Sequence, residues 1–380
     1  MNTIYLDYNA TTPVHERVFT AMVPYLRDHF GNPSSNHIYG QVNKEAISKA
    51  RAQVAQLLGC EPREVVFTSG GSESNNCAIK GVAWANRDKG NHIITSVVEH
   101  PAVINPCRYL EKQGYRVTYM SVDKYGRVNP ADVEAAVTKE TILITIMHAN
   151  NEVGTIQPIS AIGEIARKKG IVFHTDAAQS VGKVPTGVDE LQVNLLTMAG
   201  HKFYGPKGIG ALYIRQGTII DSFIHGAGHE HGSRAGTENV AFDVALGAAS
   251  ELAYNGMEKN QERLVTLRDL FYNLISENVD DVVLNGHPTE RLPNTLNLSF
   301  GGVFGAAVLA ELPEIAASTG SACHDGSGEL SGVLKAMGVE PAYGFGSIRF
   351  SLGKDTTEED VRFASGLVAR KVNEIRGRQA

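Results

Sequence analysis

The chain has 380 residues, too many for one small core and suited to a two-domain or a large single α/β protein. Its 42% hydrophobic and 20% charged residues are ordinary for a globular chain, and 35 basic against 41 acidic residues (formal charge −6) give no electrostatic reason for a nucleic-acid or anionic-membrane partner. Residues 1–7 lack a basic stretch followed by an apolar one, and no apolar run approaches bilayer length, so the expectation is a cytoplasmic protein.

Short β-branched runs alternate with helical patterns from about residue 46 to 215. Residues 65–67 read as a strand that enters a glycine-rich turn and then a helix containing Cys77. Residues 92–96 form a second strand, followed by a helix opening at Pro101, a favoured first helical position. The near-continuous apolar run 141–146 is of the kind found in strands buried on both faces. A helix over 159–169 and strands at 171–175, 195–198 and 210–214 complete the alternation, which predicts a mostly parallel sheet covered by helices. Past about Gly256 the character changes to a long amphipathic helix (258–279), strand-like pieces at 295–299 and 347–351, and a last helix. That helix has Thr357 as N-cap and Glu358, Glu359 and Asp360 in its first turn. The expected organisation is a large domain of residues 15–255 and a smaller α+β domain of residues 256–380, against which residues 1–14 pack.

Three segments could carry chemistry. Thr68-Ser69-Gly70-Gly71-Ser72 follows a strand and opens a helix, where free N–H groups and the helix dipole favour an anion; it is neither a Walker A loop nor G-x-G-x-x-G, and read alone it is equally a plain turn. Asp176 lies just past an apolar strand, where α/β sheets bind ligands, and a carboxylate there could keep a ring nitrogen protonated, with Gln179 as a nearby donor; a helix N-cap is the competing reading. Lys202 follows a buried strand between His201 and a glycine turn, and a desolvated lysine can form a Schiff base; the competing reading, a turn lysine, fits Lys207 better. Taken together, a phosphate cradle, a carboxylate for a pyridinium nitrogen and a Schiff-base lysine are what pyridoxal phosphate requires.

Of the four cysteines, Cys60, Cys77, Cys107 and Cys323, none stands in a C-x-x-C pair, and no metal site is expected. The default is a buried, inert thiol. Cys323 departs from it, because residues 318–328 are small, polar and glycine-rich and read as a functional loop.

The motifs at residues 5–13, 68–72, 99–100, 150–154, 176–179, 201–202, 234–239, 320–323 and 348–353 together resemble those of the cysteine desulfurase family, the class V branch of fold-type I pyridoxal-phosphate enzymes, in its longer-loop IscS/NifS-like group. The resemblance runs nearly end to end. It implies that Lys202 holds the cofactor covalently, Asp176 pairs with the pyridine nitrogen, Gln179 bonds the ring hydroxyl, and His100 stacks on the ring and handles protons. It further implies a phosphate site of Gly71, Ser72 and His201, joined by Thr237 from the partner of a homodimer, and a substrate-carboxylate site of Asn151 and Arg349, with Asn151 also a cofactor-binding residue. The implied activity converts L-cysteine to L-alanine, with a persulfide formed on Cys323 and passed to an acceptor protein of iron–sulfur or thiolation pathways.

The chain departs from the family pattern at Ala199, where a phosphate-binding serine is common, and at Cys323-His324, which is similar to selenocysteine lyases. L-Selenocysteine therefore stands as the alternative substrate. Transamination, or a colourless sulfur or metal carrier, are the other readings, and the carrier leaves Lys202 and Asp176 without a role.

Overall fold

The computed structural model describes residues 3–319 and 330–379. In chain order its strands are β1 (Ile4–Tyr5), β2 (Val65–Thr68), β3 (His92–Ser96), β4 (Arg116–Met120), β5 (Thr141–Thr145), β6 (Val172–Asp176), β7 (Leu195–Ala199), β8 (Gly210–Ile214), β9 (Val282–Asn285), β10 (Thr295–Phe300), β11 (Ile315–Ala316) and β12 (Ser347–Ser351). The main sheet runs β2-β8-β7-β6-β5-β3-β4. Its pairs from β4 to β7 are parallel, while β8 is antiparallel to both neighbours. The reversal follows from the short connection between β7 and β8, which has no crossover helix to return the chain.

β3, β5 and β7 are buried at every position, so their near-continuous apolar character reflects helices on both sheet faces. Ile47, Val54 and Leu58 of the helix Ile38–Leu58 pack on one face. On the other lie Ile79 and Val82 of the helix Gly71–Ala85, with Val103 and Leu110 of the helix Pro101–Glu111. The unpredicted strand β4 is an edge strand with an exposed Arg116 and half-buried Thr118 and Tyr119, a composition that hides its strand character.

A separate apolar core surrounds the antiparallel sheet β12-β10-β9. β1 pairs with β11 and Asp7 bridges to Ser351, so the N-terminal segment packs here as expected. The helix expected to start near residue 258 is instead the second half of one helix, Val240–Asn278. Its first half places Ala241, Ala245 and Leu246 in the large core, and its second half places Leu264, Phe271 and Ile275 in the small one. The change of composition near Gly256 marks where this helix changes partners. A lone glycine in a long helix costs only about 1 kcal/mol, too little to end it. The last helix, Glu358–Gln379, begins as expected: Thr357 Oγ1 accepts from Asp360 N at 3.1 Å, and Asp360 Oδ2 accepts from Thr357 N at 2.9 Å. Among the described residues no helix is long and apolar enough to cross a membrane.

Candidate active site

A cavity of about 240 Å³ opens beyond the carboxyl ends of the parallel strands, lined among others by Gly71, Ser72, His100, Asn151, Asp176, Gln179, His201 and Lys202. Motifs scattered over the first half of the chain are thereby brought to one place. Thr237 is exposed and does not line the cavity. Cys323 and His324 lie outside the described residues.

At one end, Gly70 (φ +143) turns the chain from β2 into the helix Gly71–Ala85, whose first N–H groups have no intrahelical partner. Gly210 of β8 backs this turn so closely that a Cβ there would stand 2.8 Å from Gly70 Cα. The acidic residue of the first helical turn, Glu73, faces elsewhere: it accepts from Ser69 N at 2.9 Å and from Arg234 Nε at 2.9 Å. Burial raises its pKa, but these bonds outweigh burial and hold it below the usual carboxylate range. The helix end thus remains open to an external anion. His201 Nδ1 meets Thr11 Oγ1 at 3.1 Å, and burial, followed by the charges of Lys202, Lys207 and Lys183, lowers its pKa to about 4. Ala199 offers only a methyl group where a hydroxyl would bond a phosphate.

In the middle, Asp176 is the last residue of β6 and is buried. Its Oδ2 accepts from Asn75 Nδ2 at 2.7 Å and its Oδ1 from Ala178 N at 2.9 Å. Two donors leave acceptor capacity for a cationic N–H in the cavity. His100 is the N-cap of the helix Pro101–Glu111, and its Nδ1 accepts from Ala102 N at 3.1 Å, which puts the proton of the neutral ring on Nε2. Burial lowers its pKa, with Asp176 opposing and Lys202 adding to the effect. The preceding Glu99 ties this turn to the end of β5, accepting from Ser96 Oγ at 2.6 Å and from Met147 N at 2.9 Å. Burial pushes the Glu99 carboxyl up to about 8.

Lys202 closes a short 3₁₀ turn after β7. Its Nζ donates to the carbonyls of Asn9 at 2.6 Å and Ala10 at 2.9 Å. Burial and then Arg349 lower its pKa to about 8, against the raising influence of Asp176 and Asp7. The amine therefore gives up its proton far more readily than an ordinary lysine.

Arg349 of β12 is buried and does not line the cavity; it donates from Nη2 to Asp7 Oδ1 at 2.7 Å and, at 3.0 Å, from Nη1 to the carbonyl of Asn151, which does. The Arg349 Nε is buried and has no partner among the described residues. Sequence reasoning placed Asn151 and Arg349 side by side, and the structure joins them through the Asn151 backbone. The backbone of Arg349 also pairs with Ser318, just ahead of the segment that carries Cys323.

Asp7, Asn9 and Lys183 were missed as functional residues. Asn9 is 1% exposed and central. Its carbonyl takes Lys202 and, at 2.9 Å, Gln179 Nε2; its Oδ1 takes Lys183 Nζ at 3.3 Å and Asn294 Nδ2 at 3.1 Å; its Nδ2 reaches Asn151 O at 3.2 Å. The motif at residues 5–13 pointed to this segment, but the sequence held no sign that its partners lie so far along the chain.

An anion cradle, a buried carboxylate and a low-pKa lysine at the strand ends of this sheet define a fold-type I α/β architecture of the NifS-like kind. The aminotransferase class-V family model matches residues 4–363, and the chain belongs to that family. Among its relatives, the cysteine desulfurase IscS of Dictyoglomus turgidum is 51% identical over 98% of this chain and 95% of its own length. That of Methanosarcina thermophila is also 51% identical, over 98% and 93%. Among solved structures, a NifS-like protein superposes with a TM-score of 0.91 at 37% identity over 99% of both chains. A structure described as SspA in complex with cysteine superposes with a TM-score of 0.83 at 40% identity, over 92% of this chain and 99% of the other.

Proposed function

We propose that this protein is a pyridoxal-phosphate-dependent cysteine desulfurase that converts L-cysteine to L-alanine and collects the sulfur as a persulfide on Cys323. The observation that carries the reading is the convergence of Lys202, with its amine lowered to about 8, the buried Asp176 carboxylate and the open helix end at Gly71 and Ser72 on one cavity. This donor set fits pyridoxal phosphate. Gly71, Ser72 and His201 would hold the phosphate, Asp176 the ring nitrogen, Gln179 the ring oxygen, Lys202 the aldehyde carbon, and His100 would lie against the ring. When bound, the cofactor supplies an electrophilic carbon for amines and a ring that withdraws electrons from the neighbouring Cα.

The chain's own groups do the rest. Arg349, aimed by Asp7 and the Asn151 carbonyl, presents its remaining N–H groups to the substrate carboxylate. The neutral Lys202 amine takes the Cα proton and is steadied afterwards by two carbonyl acceptors. His100, with its proton on Nε2, offers a second exchange point. The Cys323 thiolate attacks the substrate sulfur: an S–S bond forms, the substrate C–S bond breaks, and the carbon fragment takes up one proton at Cβ, recovers the Cα proton from Lys202 and leaves as alanine.

The reading extends to a homodimer, in which Thr237 of one protomer completes the phosphate site of the other. The exposure of Thr237 and its absence from the cavity lining of its own protomer support this arrangement. The two apolar cores likewise support a division into residues 15–255 and residues 1–14 with 256–380. The sulfur acceptor is a protein of iron–sulfur cluster assembly or thiolation, and the reaction is cytoplasmic. The sequence Ala322-Cys323-His324 favours one second reading, a selenocysteine lyase, which negligible alanine formation from cysteine beside rapid formation from selenocysteine would establish.

A persulfide assay on purified protein with cysteine tests the assignment. Cys323→Ala is expected to keep the visible cofactor absorbance and bind cysteine while losing sulfur transfer; normal transfer by that variant would remove Cys323 from the mechanism.

A further inference from the structure

The reaction outlined above leaves one amine beside the cavity without a role. Lys183 lies one turn beyond Gln179, just after Gly182, whose left-handed backbone (φ +77) and close approach to Phe203 (a Cβ would stand 3.0 Å from Phe203 Cβ) favour glycine. Its Nζ donates to Gln179 Oε1 at 3.0 Å and to Asn9 Oδ1 at 3.3 Å. Gln179 Nε2 in turn donates to the Asn9 carbonyl, which also receives Lys202 Nζ. A reversed Gln179 amide would set its NH₂ against the Lys183 amine and its oxygen against the Asn9 carbonyl, two mismatched pairs in a buried place. The orientation observed leaves the second Nε2–H of Gln179 for a ligand, so this side chain offers the cavity a donor and no acceptor.

We propose that Lys183 is a positioning residue of this site: by donating to Gln179 Oε1 and Asn9 Oδ1 together, it fixes the Gln179 amide with an N–H toward the ligand's oxygen and steadies the segment on which the Lys202 amine rests. The ligand class implied is one with an anionic or strongly accepting ring oxygen, and the inference rests on the cofactor reading above. Burial pushes the Lys183 ammonium well below its ordinary value, and the charges of Lys202 and Arg349 act in the same direction. Charged or neutral, the group has N–H bonds enough for both acceptors. Removing the amine leaves Gln179 Oε1 and part of Asn9 Oδ1 without a donor in a buried place, so stability responds whatever its role, and ligand affinity and the spectrum separate a positioning role from a structural one.

The test uses full-length protein stripped of cofactor and titrated with pyridoxal phosphate, following the visible absorbance, its pH midpoint and the melting temperature. Lys183→Met is expected to bind about tenfold more weakly and to shift the pH midpoint, with the melting temperature showing that the protein titrated is folded. Lys183→Arg, which keeps the donors, is expected to recover most of the affinity. Because Lys183 acts in large part through Gln179, Lys183→Met should weaken binding less in a Gln179→Ala background than in the wild-type one. Wild-type affinity and midpoint in Lys183→Met, a Lys183→Arg protein that binds no better than Lys183→Met, or fully multiplying effects in the double variant would each overturn the proposal. Wild-type protein that takes up no pyridoxal phosphate would instead bring down the functional reading itself.

Discussion

On the sheet side of the cavity, Ser72, Asp176 and Lys202 each lie within a few residues of the end of β2, β6 or β7, strands buried at every position except Val172 of β6. Away from the strand ends, Asn151 lines the cavity and Asp7 and Arg349 stand behind it; the three come from segments that no single element joins, and hydrogen bonds across the full span of the chain hold them together. The first wall inherits its rigidity from the packed sheet, so a substitution there changes the chemistry and leaves the frame in place. The second exists only through its polar contacts, and loss of one partner should loosen the grip on substrate without touching the cofactor.

Four measurements sharpen or break this comparison. The largest effect is expected for Lys202→Ala, which should lower the rate of alanine formation from cysteine by at least about 10³-fold with little change in melting temperature. Activity within tenfold of wild type would show that the sheet wall does not carry the chemistry.

Acid should weaken the sheet wall through its buried histidines. His148 donates its backbone N–H to Asp176 O at 2.8 Å, its ring meets Ser180 Oγ at 2.9 Å, and burial lowers its pKa to about 4. Since the folded pKa lies below the unfolded one, the unfolded chain binds the proton first. Stability should therefore be full above about pH 6.5 and fall as the pH drops toward 4, by about 3 kcal/mol for this one group. Denaturant unfolding across that range should be flatter for His148→Gln, and equal slopes would refute the assignment.

On the substrate wall, Arg349→Lys replaces a fork with a point charge. It should raise KM for cysteine roughly 10- to 100-fold while leaving the visible spectrum unchanged. A variant that lost cofactor instead would erase the distinction between the two walls. The smallest effect is expected for Ala199→Ser, where an added hydroxyl at the phosphate end should tighten pyridoxal phosphate binding a few-fold, read by titration of stripped protein.

Much of the sheet side was legible beforehand. The strands at residues 92–96, 210–214 and 347–351 and the helix at residues 159–169 fall where the pattern placed them. Gly71, Asp176 and Lys202 could be read because each follows an apolar run, and the chemistry of a strand end is local. β4 was missed because its edge position lets it carry polar residues, and the long helix was started too late because its two halves face different cores. Asp7 and Asn9 stood within a recognised motif, yet neither carried a readable role, and Lys183 looked like any turn lysine.

The sequence by itself determined the α/β alternation, the family and the set of groups at the strand ends, because periodicity, turn chemistry and motif spacing are written over short stretches of chain. Only the tertiary structure decided that Asn9 binds Lys202, Gln179, Lys183 and Asn151 together, and that Asp7 aims Arg349. Those contacts join groups as much as 342 residues apart. A hydrogen bond over such a separation depends on how two apolar cores bring their segments face to face, and no local pattern encodes that.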